Sequence, residues 1–381
     1  MTVIAWWVLA GIILYVYAGY PLLLRIACLL SRAQGDQSAA EPTVTLITAA
    51  YNEEAVIRQK LENILALDYP REKLQAIVAS DASSDGTDDI VAEYAGQSIT
   101  LNRQAERRGK STALNDTVGR LATGDIIVFS DASTIFEPDA LRKAVRNFAD
   151  PRVGVVCTHL IFANTTADGT PISRSEGLYW RYEEALRRLE SEAGALAFVS
   201  GAFYAIRRSL YTPVPPHLPD DSVSPLGAIK KGYRVVFEEE AVAYETAAES
   251  AEGEFRIKAR GVVRELGSIL AFRSLLNPLR HPMVALALLS HRLLRWSVGL
   301  MLAVVLALNV QLAGSPFFLA TLLLQLLFYA LAVGGHLLRK RANQPRLVSL
   351  PYYYCLVNLA ALSGIWQLLS GRRRATWQPV R

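Results

Sequence analysis

The apolar run Ile126-Ile127-Val128-Phe129 stops abruptly at Ser130-Asp131-Ala132-Ser133. An acid at the end of a buried strand can hold a divalent cation, and the cation can hold a diphosphate. Asp131 or Ser133 can equally cap the turn before Glu137-Pro138-Asp139. Two more strand-like runs stop in the same manner. Residues 44–49 end at Ala50-Tyr51-Asn52-Glu53-Glu54, and residues 74–80 end at Asp81.

Alternating elements must position these groups. Asn52 reads as the N-cap of a helix from about residue 53 to 67, with Val56, Leu61, Ile64 and Leu65 mostly on one face. Ser83-Ser84-Asp85-Gly86-Thr87 reads as a turn opening another helix. A third strand is expected near Ile99-Thr100-Leu101, and a helix over about 111–122 leads into the strand that ends at Asp131. Strand and helix in alternation predict an α/β fold, a mostly parallel sheet with helices on both faces. Ligands sit at the carboxyl ends of such strands. Tyr51-Asn52-Glu53, Asp81 and Asp131 should therefore meet on one edge, as a site of nucleotide size lined by acids and faced by a helix N-terminus. No Gly-x-Gly-x-x-Gly follows the first strand, which argues against a dinucleotide-dependent dehydrogenase.

Several spaced motifs then carry one resemblance. Ala50-Tyr51-Asn52-Glu53-Glu54, Asp81-Ala82-Ser83-Ser84-Asp85-Gly86-Thr87 and Arg108-Gly109-Lys110-Ser111-Thr112-Ala113-Leu114-Asn115 come first. Ser130-Asp131-Ala132-Ser133 with Pro138-Asp139-Ala140-Leu141 follows. Then come Ser200-Gly201-Ala202-Phe203-Tyr204, Asp220-Asp221 and Lys231-Gly232-Tyr233-Arg234-Val235. In this order they resemble family 2 glycosyltransferases of the GT-A fold, over about residues 43–265, and the flanking apolar runs resemble the membrane-bound synthase branch of that family.

The resemblance implies the following roles. Ala50, Tyr51 and Glu53 line the base pocket of a nucleotide-sugar donor, and Asp81 accepts from the uracil N–H of a UDP-sugar. A carboxylate accepts and uracil offers one imide donor, so the chemistry fits; a helix or turn cap is the plainer role for Asp81. Lys110 sits near base, ribose or diphosphate, or is simply a solvated side chain in a basic turn. Gly109-Lys110-Ser111 also mimics the end of a P-loop, but Gln104 stands where that loop needs glycine. Asp131 matches the first acid of the DxD metal motif, for Mg²⁺ or Mn²⁺. Asp220-Asp221 supplies the catalytic base, with Asp221 taking the proton of an acceptor hydroxyl in a single inverting displacement. Adjacent carboxylates raise one another's pKa, which suits a base; a double N-cap would also explain the pair. Ser200 and Gly201 match the region that meets the acceptor, or form only a tight turn.

Two departures stand out. Ser133 replaces the second DxD acid, which predicts weaker metal binding. The Gln-x-x-Arg-Trp motif of processive synthases is missing where the chain has Phe255-Arg256-Ile257-Lys258-Ala259-Arg260, so nothing argues for processivity. Arg256, Arg260 and Arg264 share a helical face, suited to diphosphate or to anionic lipid.

The ends of the chain are apolar. Residues 3–30 can span a bilayer core. Arg25 and Arg32 then place the N-terminus outside and the next domain in the cytoplasm. Residues 283–310, 316–338 and 350–370 are further runs, the first interrupted by His291, Arg292 and Arg295 so that its span should start near Trp296. Arg339, Lys340, Arg341 and Arg346 suit a cytoplasmic loop, whereas Arg372, Arg373 and Arg374 conflict with the charge rule if all three runs cross. Cys28, Cys157 and Cys355 read as buried thiols. The net charge of +5 is modest, so anionic lipid is a simpler partner than nucleic acid.

The expected organisation is a transmembrane helix over 1–32, a cytoplasmic GT-A catalytic domain over 42–252 and an amphipathic interfacial helix over 253–282. Transmembrane helices follow over 283–372, and a basic tail over 373–381. The expected protein is a multi-pass inner (plasma) membrane glycosyltransferase. It moves sugar from a nucleotide-sugar donor to a glycan or lipid-linked acceptor in envelope or extracellular polysaccharide synthesis, with possible export partners. A polyprenyl-phosphate monoglycosyltransferase and an inactive nucleotide-binding scaffold subunit are the alternatives.

Overall fold

The computed structural model describes residues 1–30, 41–163, 171–246, 250–339, 341 and 344–371. The polar linker expected at 33–38, Arg32, Lys340, Arg372 to Arg374 and the basic tail lie outside the described residues.

Eight strands form one mixed sheet in the order β3-β2-β1-β4-β7-β6-β8-β5. They are β1 (Val44–Ala50), β2 (Leu74–Ser80), β3 (Ile99–Arg103), β4 (Ile126–Asp131), β5 (Ile135–Phe136), β6 (Val153–Phe162), β7 (Phe203–Arg207) and β8 (Arg234–Glu245). β1 to β4 run parallel, β7 is antiparallel to both β4 and β6, and β6 pairs parallel with β8. Every residue of β1 is buried, as a strand covered on both faces requires. The period of two splits β1 and β4 between two cores. Leu46, Ile126 and Val128 join Ile57, Leu61 and Ile64 of helix Glu54–Leu65 on one face. Ile47, Ile127 and Phe129 join Ala113 and Leu114 of helix Lys110–Arg120 and Leu226 of helix Asp220–Lys230 on the other.

One expected cap is corrected. Asn52 has a positive φ of 55°, and its Oδ1 accepts from Ser84 N at 2.8 Å. Its side chain is thus turned to the neighbouring loop, and Glu53 holds the cap position without capping the helix through its side chain.

Among the described residues, four helices are long and apolar enough to cross a membrane: Thr2–Leu29, Pro282–Leu312, Pro316–Leu337 and Arg346–Leu369. The second runs on through the basic residues, and does not begin at Trp296. Acids of the amphipathic helix Pro171–Glu192 hold His291 and Arg295. His291 ring nitrogens lie 2.7 Å from Glu190 Oε1 and 3.1 Å from Glu183 Oε2, and Arg295 also pairs with Glu183. Tyr20 OH from the N-terminal helix donates to Glu190 at 2.6 Å. Satisfied in this way, basic groups are tolerated in an apolar helix. Nearer the chain's start, Trp6 Nε1 donates to Asn309 Oδ1 at 2.7 Å, tying the first and second of these helices.

Candidate active site

The carboxyl ends of β1, β2 and β4 do lie side by side, because the three strands are neighbours in parallel register. Asp81 N donates to Ala50 O at 3.0 Å, closing the β1 and β2 ends together. The Asp81 carboxylate is buried and grips the loop before the next helix. It accepts from Arg108 N at 2.8 Å, and from Gly109 N at 3.0 and 2.8 Å on its two oxygens. Gly109 has φ of 95°, so a residue with a side chain would be strained there. Asp81 therefore fixes the start of helix Lys110–Arg120, which is a cap-like role. Two backbone donors leave part of its acceptor capacity for a ligand. Beside it, the Arg107 guanidinium covers the Tyr51 ring at 3.7 Å, a stacked pair at the expected base pocket.

Lys110 is the hub. Its Nζ donates to Asp131 Oδ1 at 2.6 Å and lies 3.9 Å from Asp220 Oδ1. Burial opposes its charge, but these carboxylates outweigh burial and hold the ammonium well above the ordinary lysine range. The solvated alternative is thus replaced by a paired, nearly buried cation. Further down the same helix, Ser111 Oγ donates to Leu218 O at 2.9 Å and Asn115 Nδ2 to Val214 O at 2.8 Å. These bonds staple the loop 213–219, which carries Pro213, Pro215, Pro216 and Pro219, onto the helix and so place the acids that follow it.

Helix Asp220–Lys230 begins at Asp220, with Pro219 before it. Asp220 is buried and accepts from Tyr204 OH at 3.0 Å, so it is held as a partner of Tyr204 and Lys110. Asp221 is only partly buried and faces a cavity. Burial and the adjacent Asp220 push its carboxyl up to about 7. Gly201 makes room for it: a Cβ at that position would fall 2.7 Å from Asp221 Oδ2. Gly201→Ala should displace the carboxylate and lower sugar transfer by about 10²-fold, the usual result of a 1 Å misplacement, while the melting temperature stays near the parent's. Steady-state rates beside a melting curve check this.

That cavity measures about 1180 Å³. It opens beside Ser200, Gly201 and Asp221 and extends to Leu302, Phe328 and Leu350 on the membrane-length helices. The two expected arginines part company on helix Ala251–Ala271. Arg260 lies close enough to Asp131 for the carboxylate to support its charge, although burial and Arg264 lower its pKa. Arg256 is exposed, donates to Glu252 O at 3.2 Å and lines a separate cavity with Tyr329 and His336.

Sequence reasoning missed three groups here. Ser133 Oγ donates to Glu245 Oε1 at 3.2 Å, so a carboxylate stands beside the position where the DxD motif lacks one. The signal was present: residues 241–244 are a strand ending in an acid, the same pattern that marked Asp131. Lys60 is fully buried, its Nζ donating to Thr134 O at 2.7 Å and lying 3.6 Å from the Phe136 ring centre. Burial pulls this amine down to about 7 against the attraction of Asp131 and Glu245. Tyr204 carried no signal beyond its place in an apolar strand.

Among known proteins, residues 45–212 match the family model described as glycosyl transferase family 2. No curated protein matches the chain. Among solved structures, a mannosyltransferase from Pyrobaculum calidifontis, PcManGT, in complex with GDP-Man and Mn²⁺, is 25% identical with a TM-score of 0.72. The alignment covers 97% of this chain and 100% of that one. TarS 1-349 of S. aureus, in complex with UDP-GlcNAc, is 14% identical with a TM-score of 0.44, over 86% of this chain and 92% of that one. The mixed sheet, its carboxyl-edge acids and the matched segment agree on a family 2 glycosyltransferase domain of GT-A type in the segment that the family model covers, residues 45–212, with helices of membrane-spanning length on either side.

Proposed function

We propose that the protein transfers a sugar from a nucleoside diphosphate sugar to a hydroxyl of a lipid-linked or membrane-extruded glycan, with inversion, in cell-envelope or extracellular polysaccharide synthesis. The observation that carries this reading is the cavity that joins Asp221 to the membrane-length helices. A soluble acceptor needs no apolar chamber of that size. The catalytic domain is placed on the cytoplasmic face of the plasma membrane, where nucleotide sugars are made.

The base of the donor rests by Tyr51 and Arg107, with Ala50 and Glu53 at the β1 end. Asp81 takes a ring N–H, which both uracil and guanine offer beside a carbonyl. The diphosphate lies along Lys110 and Arg260, two cations beside Asp131. Asp221 then removes the proton of an acceptor hydroxyl entering from the Ser200 and Gly201 side. That oxygen attacks the anomeric carbon opposite the departing diphosphate.

Asp131, Ser133 and Glu245 are hard oxygen donors that fit Mg²⁺ or Mn²⁺. Bound there, the ion would neutralise charge on the leaving diphosphate. Glu245→Gln should weaken Mn²⁺ binding about 10–100-fold, as loss of a supporting carboxylate does, read by Mn²⁺ titration followed by electron paramagnetic resonance.

A panel of radiolabelled UDP- and GDP-sugars, incubated with the purified protein and membrane lipid extract, tests the function. Label should pass to a solvent-extractable lipid or a membrane-bound polymer. Donor consumption that persists in Asp221→Asn would overturn the assignment of the base, and no consumption of any donor would favour a nucleotide-binding scaffold.

A further inference from the structure

The transfer chemistry makes no use of one cation in the cavity wall. Arg187, on helix Pro171–Glu192, is 7% exposed. Its Nε is buried and has no hydrogen-bond partner among the described residues. The guanidinium lies over the Trp180 ring at 4.9 Å and lines the same cavity as Ser200, Gly201 and Asp221. Arg187 and Asp221 both act electrostatically on the buried Cys157 thiol, Arg187 lowering its pKa and Asp221 raising it, so the two charges share one neighbourhood. Three other cations of the cavity wall are committed, and Arg346 is exposed at the start of its helix. Arg295 pairs with Glu183, Arg292 with Glu265 at 3.3 Å, and Lys258 with Glu254 at 3.3 Å.

A buried guanidinium normally has a carboxylate, and this one has none among the described residues. Its planar fork suits the oxygens of a phosphate, and its ring partner holds it in place. The cavity tells what carries that phosphate. One end is polar around Asp221, and the other is walled by Leu302, Phe328, Leu331 and Leu350 on membrane-length helices. An occupant that satisfies both ends is an amphiphile with an anionic head and a long hydrocarbon chain.

We propose that Arg187 is the phosphate subsite for a lipid-linked acceptor, a phosphate ester of a long-chain alcohol. Its chain lies among the C-terminal helices, and its sugar hydroxyl is presented to Asp221. This deepens the proposed function and rests on reading the cavity as the acceptor site. A hydroxyl acceptor also agrees with the placement of a base there, since a phosphate nucleophile is already anionic and needs none.

The test uses the full chain in detergent, with binding as its readout. Dodecyl phosphate, dodecanol and inorganic phosphate are titrated against the parent, Arg187→Met and Arg187→Lys, with nucleoside diphosphate binding as the check on folding. Met keeps the apolar stem on Trp180 and removes only an unpaired buried charge. Dodecyl phosphate affinity should fall about 10–100-fold in Arg187→Met, as loss of a charge-assisted fork predicts, and recover in part in Arg187→Lys. Dodecanol and nucleoside diphosphate affinities should not change. Equal binding of dodecyl phosphate and dodecanol to the parent would overturn the proposal. So would inorganic phosphate binding as tightly as the alkyl phosphate, since that marks a free-phosphate site. An unchanged phosphate affinity in Arg187→Met while transfer still depends on Asp221 defeats this inference alone. Transfer indifferent to Asp221 defeats the functional reading, whatever Arg187 binds.

Discussion

Asp221→Asn should reduce sugar transfer by about 10²–10⁴-fold, the range a positioned general base supplies, with donor affinity nearly unchanged. The parent's pH profile should locate the same group. Asp221 is pushed up to about 7 by burial and by Asp220, and only the unprotonated form can take a proton. The acid limb of kcat/KM should therefore fall tenfold per pH unit below about 7 and level off above it. The stability consequence has the opposite sense. A carboxyl whose folded pKa is raised contributes stability below its unfolded pKa, and loses it as pH rises through the folded value. The parent should lose stability between about pH 4 and 7 through this group, and Asp221→Asn should not. At pH 8 the variant should melt no lower than the parent. An inactive variant that also melts well below the parent at pH 8 would point to a structural role for Asp221.

The parallel half of the sheet was legible because its signal is local. β1, β2 and β4 are short apolar runs that end in polar residues, and a strand buried on both faces leaves no other pattern. The acids followed from that, since strand ends in such sheets share an edge. What the sequence hid was pairing. Lys60 lies within an otherwise ordinary amphipathic helix, and only the fold shows it to be wholly buried under Thr134. Glu245 sits 112 residues from the serine it supports, on a strand joined to the sheet through β6. The basic interruption at His291, Arg292 and Arg295 read as a boundary of the membrane span because Glu183 and Glu190, which hold His291 and Arg295, lie a hundred residues upstream. Long-range ion pairs leave no periodicity behind. Arg187 illustrates the same limit in reverse, because the lack of a partner is visible only once every neighbour is in place.

Lys110→Met should damage stability and catalysis together, and the two effects can be separated. The lysine bonds Asp131 at 2.6 Å and stands 3.9 Å from the buried Asp220. Removing it leaves Asp220 with Tyr204 and no ion pair among the described residues. Breaking a buried pair costs about 3–5 kcal/mol when the remaining charge is fully enclosed. Asp131 retains 27% of its side-chain exposure, so solvent screens part of the loss and this range is an upper bound. Catalysis responds through Asp221, whose pKa Lys110 pulls down. Without the ammonium the acid limb of kcat/KM should move to higher pH, beyond the parent's position near 7. A simple packing defect would lower the plateau and leave the limb where it was. Lys110→Arg should keep the limb close to the parent's while altering its height, since the charge remains and the geometry does not. A limb that stays fixed in Lys110→Met would separate Lys110 from the base and confine it to the donor side.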